Sequence, residues 1–419
     1  MVAQPSPPTP PQLADEAAAL TRAAELDAAD PLGSFRDRFV IDDPDVVYLD
    51  GNSLGRLPRA TADRLRHVVA EEWGGELIRG WDHWITEPGR IGDLIAPLVG
   101  ARPGEVIVSD STTVNVYKLL HTALEARPGR RVVVTDRDNF PTDRYVLEGL
   151  ARTRHLEIAW IEADPVDGPT PDDVAAALAA HPSEVALLTL SHVNYRSAAI
   201  ADIDSITALA HEAGALVVWD LCHSGGAIDV QLDASGADLA VGCTYKFLNG
   251  GPGAPAWLYV RRALQDRLRN PIQGWFGQRD QFAMAQGYDP APGISQWLTG
   301  TPGMLALAAV EQGVLLTAEA GINAIRSKGT ALGEFTIALA DARLGAVGCS
   351  IGSPRDPTRR GAHVAIRHPD AARLTRELIA RKVIPDFREP DAIRFGLSPL
   401  TTSFTDVARG IEAIRRLLT

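Results

Sequence analysis

Residues 215–260 read ALVVWDLCHSGGAIDVQLDASGADLAVGCTYKFLNGGPGAPAWLYV. Three short apolar runs alternate with polar, glycine-rich turns, and the runs are apolar on both faces, as in strands covered on both sides. Asp220 closes the first run and Lys246 follows the second. A lysine wants water and such a run wants burial, so Lys246 stands where a strand has ended. Its job depends on what else reaches that place.

The same unit repeats upstream. EVIVSD leads into STTVNVYKLLHTALEA, RRVVVTD into NFPTDRYVLEGLAR, HLEIAWIEAD into TPDDVAAALAAH, and EVALLTLSHV into DIDSITALAHEAG. Buried strands separated by helices of this length predict a doubly wound, mostly parallel α/β sheet. TPDD supplies a helix start, with Thr170 as cap and Pro171 in the first position. Beyond about residue 300 two long helical stretches precede HVAIRHP, IRFGLSP and a terminal helix, a smaller α+β unit. The division expected is a flexible arm over 1–12, a helical segment over 13–45 packing with the small domain, a large α/β domain over 46–300 and a small domain over 301–419. Residues 61–98 look helical, interrupted by the aromatic and charged stretch RGWDHWITEPGR.

The 419 residues are 45% hydrophobic and 22% charged, enough for a substantial core in more than one domain. A net charge of -12 argues against broad attraction to nucleic acid or anionic lipid. Cys222, Cys243 and Cys349 form no CxxC pair and no disulfide framework, and no signal-like segment opens the chain, so a cytoplasmic home is expected. The apolar runs are too short to cross a bilayer, so no membrane role is expected.

In an open parallel sheet, ligands bind beyond the carboxyl ends of the strands. At those exits stand Ser111, Thr112 and Thr113; Phe140 and Asp143; Ser191, His192 and Asn194; Asp220 and His223; Tyr245 and Lys246. Hydroxyls and free N–H groups at a helix start can hold a phosphate. No GxxxxGK[ST] or GxGxxG is present, and STT alone would be an ordinary cap. Asp220 could hold the proton of a pyridine nitrogen or merely close a turn; Lys246 could form a Schiff base or merely end a strand at the surface. No metal-ligand pattern is evident.

Together these residues resemble the fold type I, aspartate-aminotransferase-like pyridoxal-phosphate enzymes, and within them the kynureninase family. The string at 215–260 carries the resemblance with NFPTD, SHVNYRSA, DLCHS, TYKFLNGGPG, GWFG and WLTGTP, and it runs from YLDGNSLG at 48 to about 407. It implies a PLP-dependent transferase-like fold with a seven-stranded sheet, the cofactor pyridoxal 5′-phosphate, and a homodimer with active sites at the interface. The implied reaction is hydrolysis of L-kynurenine to anthranilate and L-alanine in tryptophan catabolism or NAD biosynthesis, with 3-hydroxy-L-kynurenine as a second candidate substrate. By the same resemblance Lys246 is the Schiff-base lysine and Tyr245 its neighbour in phosphate binding and proton transfer. Asp220 pairs with the ring nitrogen, Phe140 stacks on the ring, Asp143 lies at its polar edge, and Thr112 and Thr113 contact the phosphate. His223 supports the pocket, Trp275 and Thr301 reach the phosphate across the dimer, and Arg394 clamps the substrate carboxylate.

Bland alternatives exist for Trp275 and Phe140 as core or interface aromatics, and for Arg394 as a solvent-facing residue of an edge strand. Thr301 in GTPG looks like the bacterial form of its motif. RGWDHWITEP resembles a segment near the substrate ring, without a clear alignment for Trp81 or His83. Rival functions are a PLP-dependent lyase or desulfurase, for which Cys349 is the candidate cysteine, a relative acting on a modified kynurenine, and a catalytically silent scaffold.

Overall fold

The computed structural model describes residue 13 and residues 15–419; the arm expected over 1–12 lies outside the described residues. Helix α1 (Glu16–Ala28) leads to the short strand β1 (Val47–Tyr48), then to α2 (Arg59–His67), the single turn α3 (Trp81–Trp84) and α4 (Glu87–Ile95). Next come β2 (Val106–Val108), α5 (Thr112–Glu125), β3 (Val132–Asp136), α6 (Pro141–Arg154), β4 (Glu157–Ile161), α7 (Pro171–Ala179), β5 (Val185–Ser191) and α8 (Ile203–Glu212). Strands β6 (Leu216–Asp220), β7 (Leu239–Gly242) and β8 (Trp257–Val260) and the turn α9 (Arg262–Gln265) complete this part.

The seven strands form one sheet in the order β2-β8-β7-β6-β5-β3-β4. All pairings are parallel except those of β8, which runs antiparallel to both neighbours. Strands β3, β6 and β7 are buried along their whole length, as their two-sided apolar character requires. Helix starts are set by short polar side chains: Ser111 opens α5, and Thr170 with Asp173 forms a reciprocal capping box at α7.

The C-terminal part comprises α10 (Met304–Ala320), α11 (Ile322–Leu344), β9 (Ser350–Ile351), β10 (His363–Arg367), α12 (Ala371–Ala380), β11 (Val383–Ile384), β12 (Asp386–Arg388), β13 (Ala392–Gly396) and α13 (Phe404–Leu418). Four of its strands make an antiparallel sheet, β12-β13-β10-β9, while β11 pairs in parallel with β1. Ala19 and Ala23 of α1 join Val407, Ile411 and Ile414 of α13 in the core beside this sheet. Helix α10 instead contributes Leu307, Val310 and Val314 to the core of the large sheet. Chain between the two sheets is thus anchored on both.

Two expectations change. The interruption at 79–90 is itself wound: α2 widens into a π-helical stretch over Val68–Glu76, tightens over Leu77–Gly80 and continues as α3. A side chain links these turns, since Trp84 Nε1 donates to the buried Glu72 carboxylate at 2.8 Å. Second, β13 is an inner strand between β12 and β10, and Arg394 is 1% exposed, so the solvent-facing edge alternative fails. Among the described residues no single helix is long and apolar enough to cross a membrane; α10 and the chain through Val347 pass only as a pair bent by 82°.

Candidate active site

Asp220 is the last residue of β6 and pairs with Val241 of β7, so the exits of these strands lie side by side. From β7 the chain enters a tight turn in which Asn249 N–H donates to the Lys246 carbonyl at 3.0 Å and Gly250 N–H to Thr244 at 2.9 Å. Two glycines allow other segments to close on this turn. A Cβ at Gly55 would fall on the Lys246 carbonyl oxygen, and one at Gly313 of α10 on that of Leu248. The Lys246 backbone is therefore held from both sides, with its side chain buried.

Lys246 Nζ lies 3.0 Å from His223 Nε2. Burial, then the charges of Lys246 and Arg394, push the His223 pKa well below its usual value, so the ring is neutral. Its Nε2 accepts from the lysine, and Nδ1 carries the proton with no partner. Phe140, the residue before α6, sits with its ring centroid 5.8 Å from Nζ and packs edge-on against Tyr195 at 5.3 Å.

Pro141 starts α6 and places Asp143 in its first turn, 3% exposed. Burial and the neighbouring Asp220 carboxylate hold the Asp143 pKa well above the usual range, and Lys246 offsets this only in part. One Asp143 oxygen, Oδ1, is buried without a partner. Two carboxyl groups sharing a dry site favour a ligand that brings a positive N–H, as a protonated pyridine does. Nearby, Thr112 starts the 14-residue helix α5, and Cys222 Sγ lies 3.9 Å from its hydroxyl. The free N–H groups at this helix start suit an anion. Thr113 is exposed at the same end. A buried amine, an aromatic wall, an under-satisfied carboxyl pair and a helix N-terminus fit pyridoxal phosphate.

Tyr245 is half-buried beside Lys246, with its ring centroid 6.0 Å from Nζ. Burial, then the neighbouring thiols and Asp220, raise its pKa far above that of a free phenol, so the hydroxyl keeps its proton at neutral pH.

Arg394 approaches from the other sheet. In the β12–β13 pairing it stands directly opposite Asp386, whose carboxylate accepts from Nε at 2.9 Å and from Nη2 at 2.5 Å. Nη2 also donates to Ser53 Oγ at 3.2 Å, and Nη1 to the Tyr195 carbonyl. The guanidinium is thus fixed in orientation by contacts that residue order alone did not reveal. Sequence reading also passed over His363, which is fully buried and 5.4 Å from the His223 ring, centroid to centroid.

Trp275 and Thr301 both stand at exposed positions, Thr301 on a cleft that reaches Ser111 at the start of α5. Trp275 is 43% exposed and packs edge-on against Phe276 and Phe282. Thr301 is exposed and lines a cleft of about 350 Å³ with Asp110, Ser111 and Gly253. A second network missed by sequence reading braces this cleft. The fully buried Lys118 donates to the Asp110 carboxylate and to the Trp297 carbonyl at 2.8 Å, while Thr299 Oγ1 donates to Asp110 at 2.9 Å. The strand exit before α5 is thereby tied to the 297–301 loop.

Residues 325–414 match the family model described as the kynureninase C-terminal domain. The kynureninase of Pseudomonas fluorescens is 42% identical over 399 residues, covering 94% of each chain. That of Burkholderia pseudomallei (strain K96243) is 42% identical over 404 residues, again covering 94% of each. Among solved structures, the cysteine desulfurase of Thermococcus onnurineus NA1 superposes with TM-score 0.78 at 16% identity, over 94% of this chain and 98% of that one. A C-DES variant with glycine covalently linked to its PLP cofactor gives TM-score 0.75 at 15% identity, over 90% of this chain and 96% of its own. At such identities these two show the fold, that of the type I PLP enzymes.

Proposed function

The chain belongs to the kynureninase family, and from that premise we infer that it hydrolyses L-kynurenine to anthranilate and L-alanine in tryptophan catabolism, with pyridoxal 5′-phosphate as cofactor. One observation carries the site assignment: the buried Lys246 amine contacts a neutral His223 and acts electrostatically on Asp143 beside Asp220, where Asp143 Oδ1 and His223 Nδ1 are buried without partners.

When bound, pyridoxal phosphate supplies an aldehyde for the lysine or substrate amine and a ring that stabilises the electron pair left by a departing Cα proton. Lys246 would hold the cofactor through Nζ, and the same amine is the group that would take the Cα proton. Neutral His223 accepts from that amine without adding a charge beside it. Asp220, beside Asp143, would keep a proton on the ring nitrogen. Phe140 would pack against the ring, and Thr112, Thr113 and the start of α5 would hold the phosphate. Arg394 would bind the substrate carboxylate and so orient the Cα substituents. Tyr245, which keeps its phenolic proton, donates it to the Cβ that becomes the alanine methyl.

We further propose a homodimer in which Trp275 and Thr301 of each subunit complete the phosphate site of the other. Their exposure supports this. The large domain is taken as 46–300 and the small one as 301–419, with 13–45 packed on the latter and α10 reaching back to the core of the large sheet. Three free cysteines, Cys222, Cys243 and Cys349, support a cytoplasmic location. Cys349 packs against the core beside the small sheet, which disfavours a desulfurase role for it.

The test is product analysis. Protein supplied with pyridoxal phosphate should convert L-kynurenine into equimolar anthranilate and L-alanine, and Lys246→Ala should form neither.

A further inference from the structure

His363 lies on β10 directly opposite Gly396 of β13, and Arg394 is two residues from Gly396 on the same strand. Cross-strand partners share a face, as do residues two apart, so His363 and Arg394 project side by side from one face of the small sheet. Glycine opposite His363 makes room for the Asn52 side chain, which lies where a Cβ would stand but makes no hydrogen bond to the imidazole. The ring is 0% exposed, yet neither nitrogen has a hydrogen-bond partner of proper geometry, although the Arg196 carbonyl is close enough to favour the charged ring. Around it stand His223, Lys246, Arg394 and Arg388; burial first, then the charges of Arg394, Lys246 and Arg388, keep it neutral. A buried, unpartnered imidazole is costly, and buried polar groups of this kind are ordinarily satisfied by a ligand or water.

Arg394 makes the need for such a group concrete. Of its five N–H groups, Asp386 takes two, Ser53 one and Tyr195 one. A carboxylate has about four lone-pair sites, and a single remaining N–H cannot fill them.

We propose that His363 is a second binding residue for the α-carboxylate of the amino-acid substrate, donating a hydrogen bond beside Arg394. The inference rests on Arg394 binding that carboxylate. It extends to the product L-alanine, which carries the same group.

The experiment titrates holoenzyme with L-alanine and with L-alaninamide, which lacks the carboxylate, following the absorbance of the bound cofactor. In His363→Leu, L-alanine binding should weaken by about 10–100-fold, the loss of one hydrogen bond to a charged group, while L-alaninamide binding is unchanged. KM for kynurenine should rise by a similar factor with kcat little altered, and His363→Gln, which can still donate, should recover most of the loss. The Leu variant should melt no lower than the wild type, since it removes an unpartnered polar group. Should it not fold, His363→Ala carries the same expectations with a smaller side chain. Unchanged L-alanine affinity in the folded variant, or equal losses for L-alanine and L-alaninamide, would overturn the proposal. If the wild type left kynurenine intact but bound L-alanine in a His363-dependent way, the kynurenine reading would fail and this one would stand.

Discussion

At Arg394 a single side chain must satisfy Asp386, Ser53 and the Tyr195 carbonyl while keeping one N–H for a ligand. A lysine has three donors without the planar fork, so Arg394→Lys should raise KM for kynurenine by about 10–100-fold with a smaller change in kcat; steady-state kinetics checks this. Asp136 offers a pH prediction. Burial raises its pKa to about 6, although the Asp138 N–H bonds its Oδ1 at 2.8 Å. The folded-state pKa exceeds the unfolded one, so the folded protein binds the extra proton. This residue's contribution to stability therefore falls as pH rises from about 4 to about 6 and stays low above that. Asp136→Asn keeps the acceptor without the charge. It should melt higher than wild type at pH 8, by at most about 3 kcal/mol, and the gain should vanish near pH 4; melting curves at the two pH values decide. Lys246 and Asp220 were legible because each stands where an apolar run stops. His363 and Asp386 were not, because their neighbours are set by strand register between segments up to 33 residues apart.

At the scale of elements, the link between α5 and the 297–301 loop depends on a lysine with no exposure to water. Lys118→Met would leave Asp110 unpaired beside Thr299. Asp110 keeps some water, so the cost should be about 3 kcal/mol, the low end for a broken buried pair, read by denaturant unfolding. Cleavage in the loop by a protease should rise alongside. The strands of the large sheet were readable because parallel, doubly covered strands must be apolar throughout. The reversal of β8 was not, since an antiparallel strand covered on both faces has the same composition. The π-helical stretch after α2 was hidden for a related reason: its residues keep a helical pattern, and only backbone pairing shows the wider turn.

For the whole molecule, Trp73, Leu77 and Ile78 are 58%, 62% and 78% exposed on the turns after α2, and Phe282 and Met284 are 63% and 74% exposed beyond Trp275. Exposed apolar side chains in such groups mark interaction surfaces. In the proposed dimer they are covered by the second subunit, so sedimentation should give twice the chain mass, and Leu77→Glu with Ile78→Glu should yield monomers that bind pyridoxal phosphate more weakly. A monomeric wild type with full cofactor affinity would remove the role given to Trp275 and Thr301. The central claim, that the strand-end cluster around Lys246 hydrolyses kynurenine, has a more direct test. The protein with pyridoxal phosphate is incubated with L-kynurenine, and anthranilate and L-alanine are quantified beside a Lys246→Ala control. Equal amounts of both products from the wild type and none from the variant are the predicted result. A holoenzyme with the lysine-bound cofactor absorbance that leaves kynurenine unchanged would contradict it.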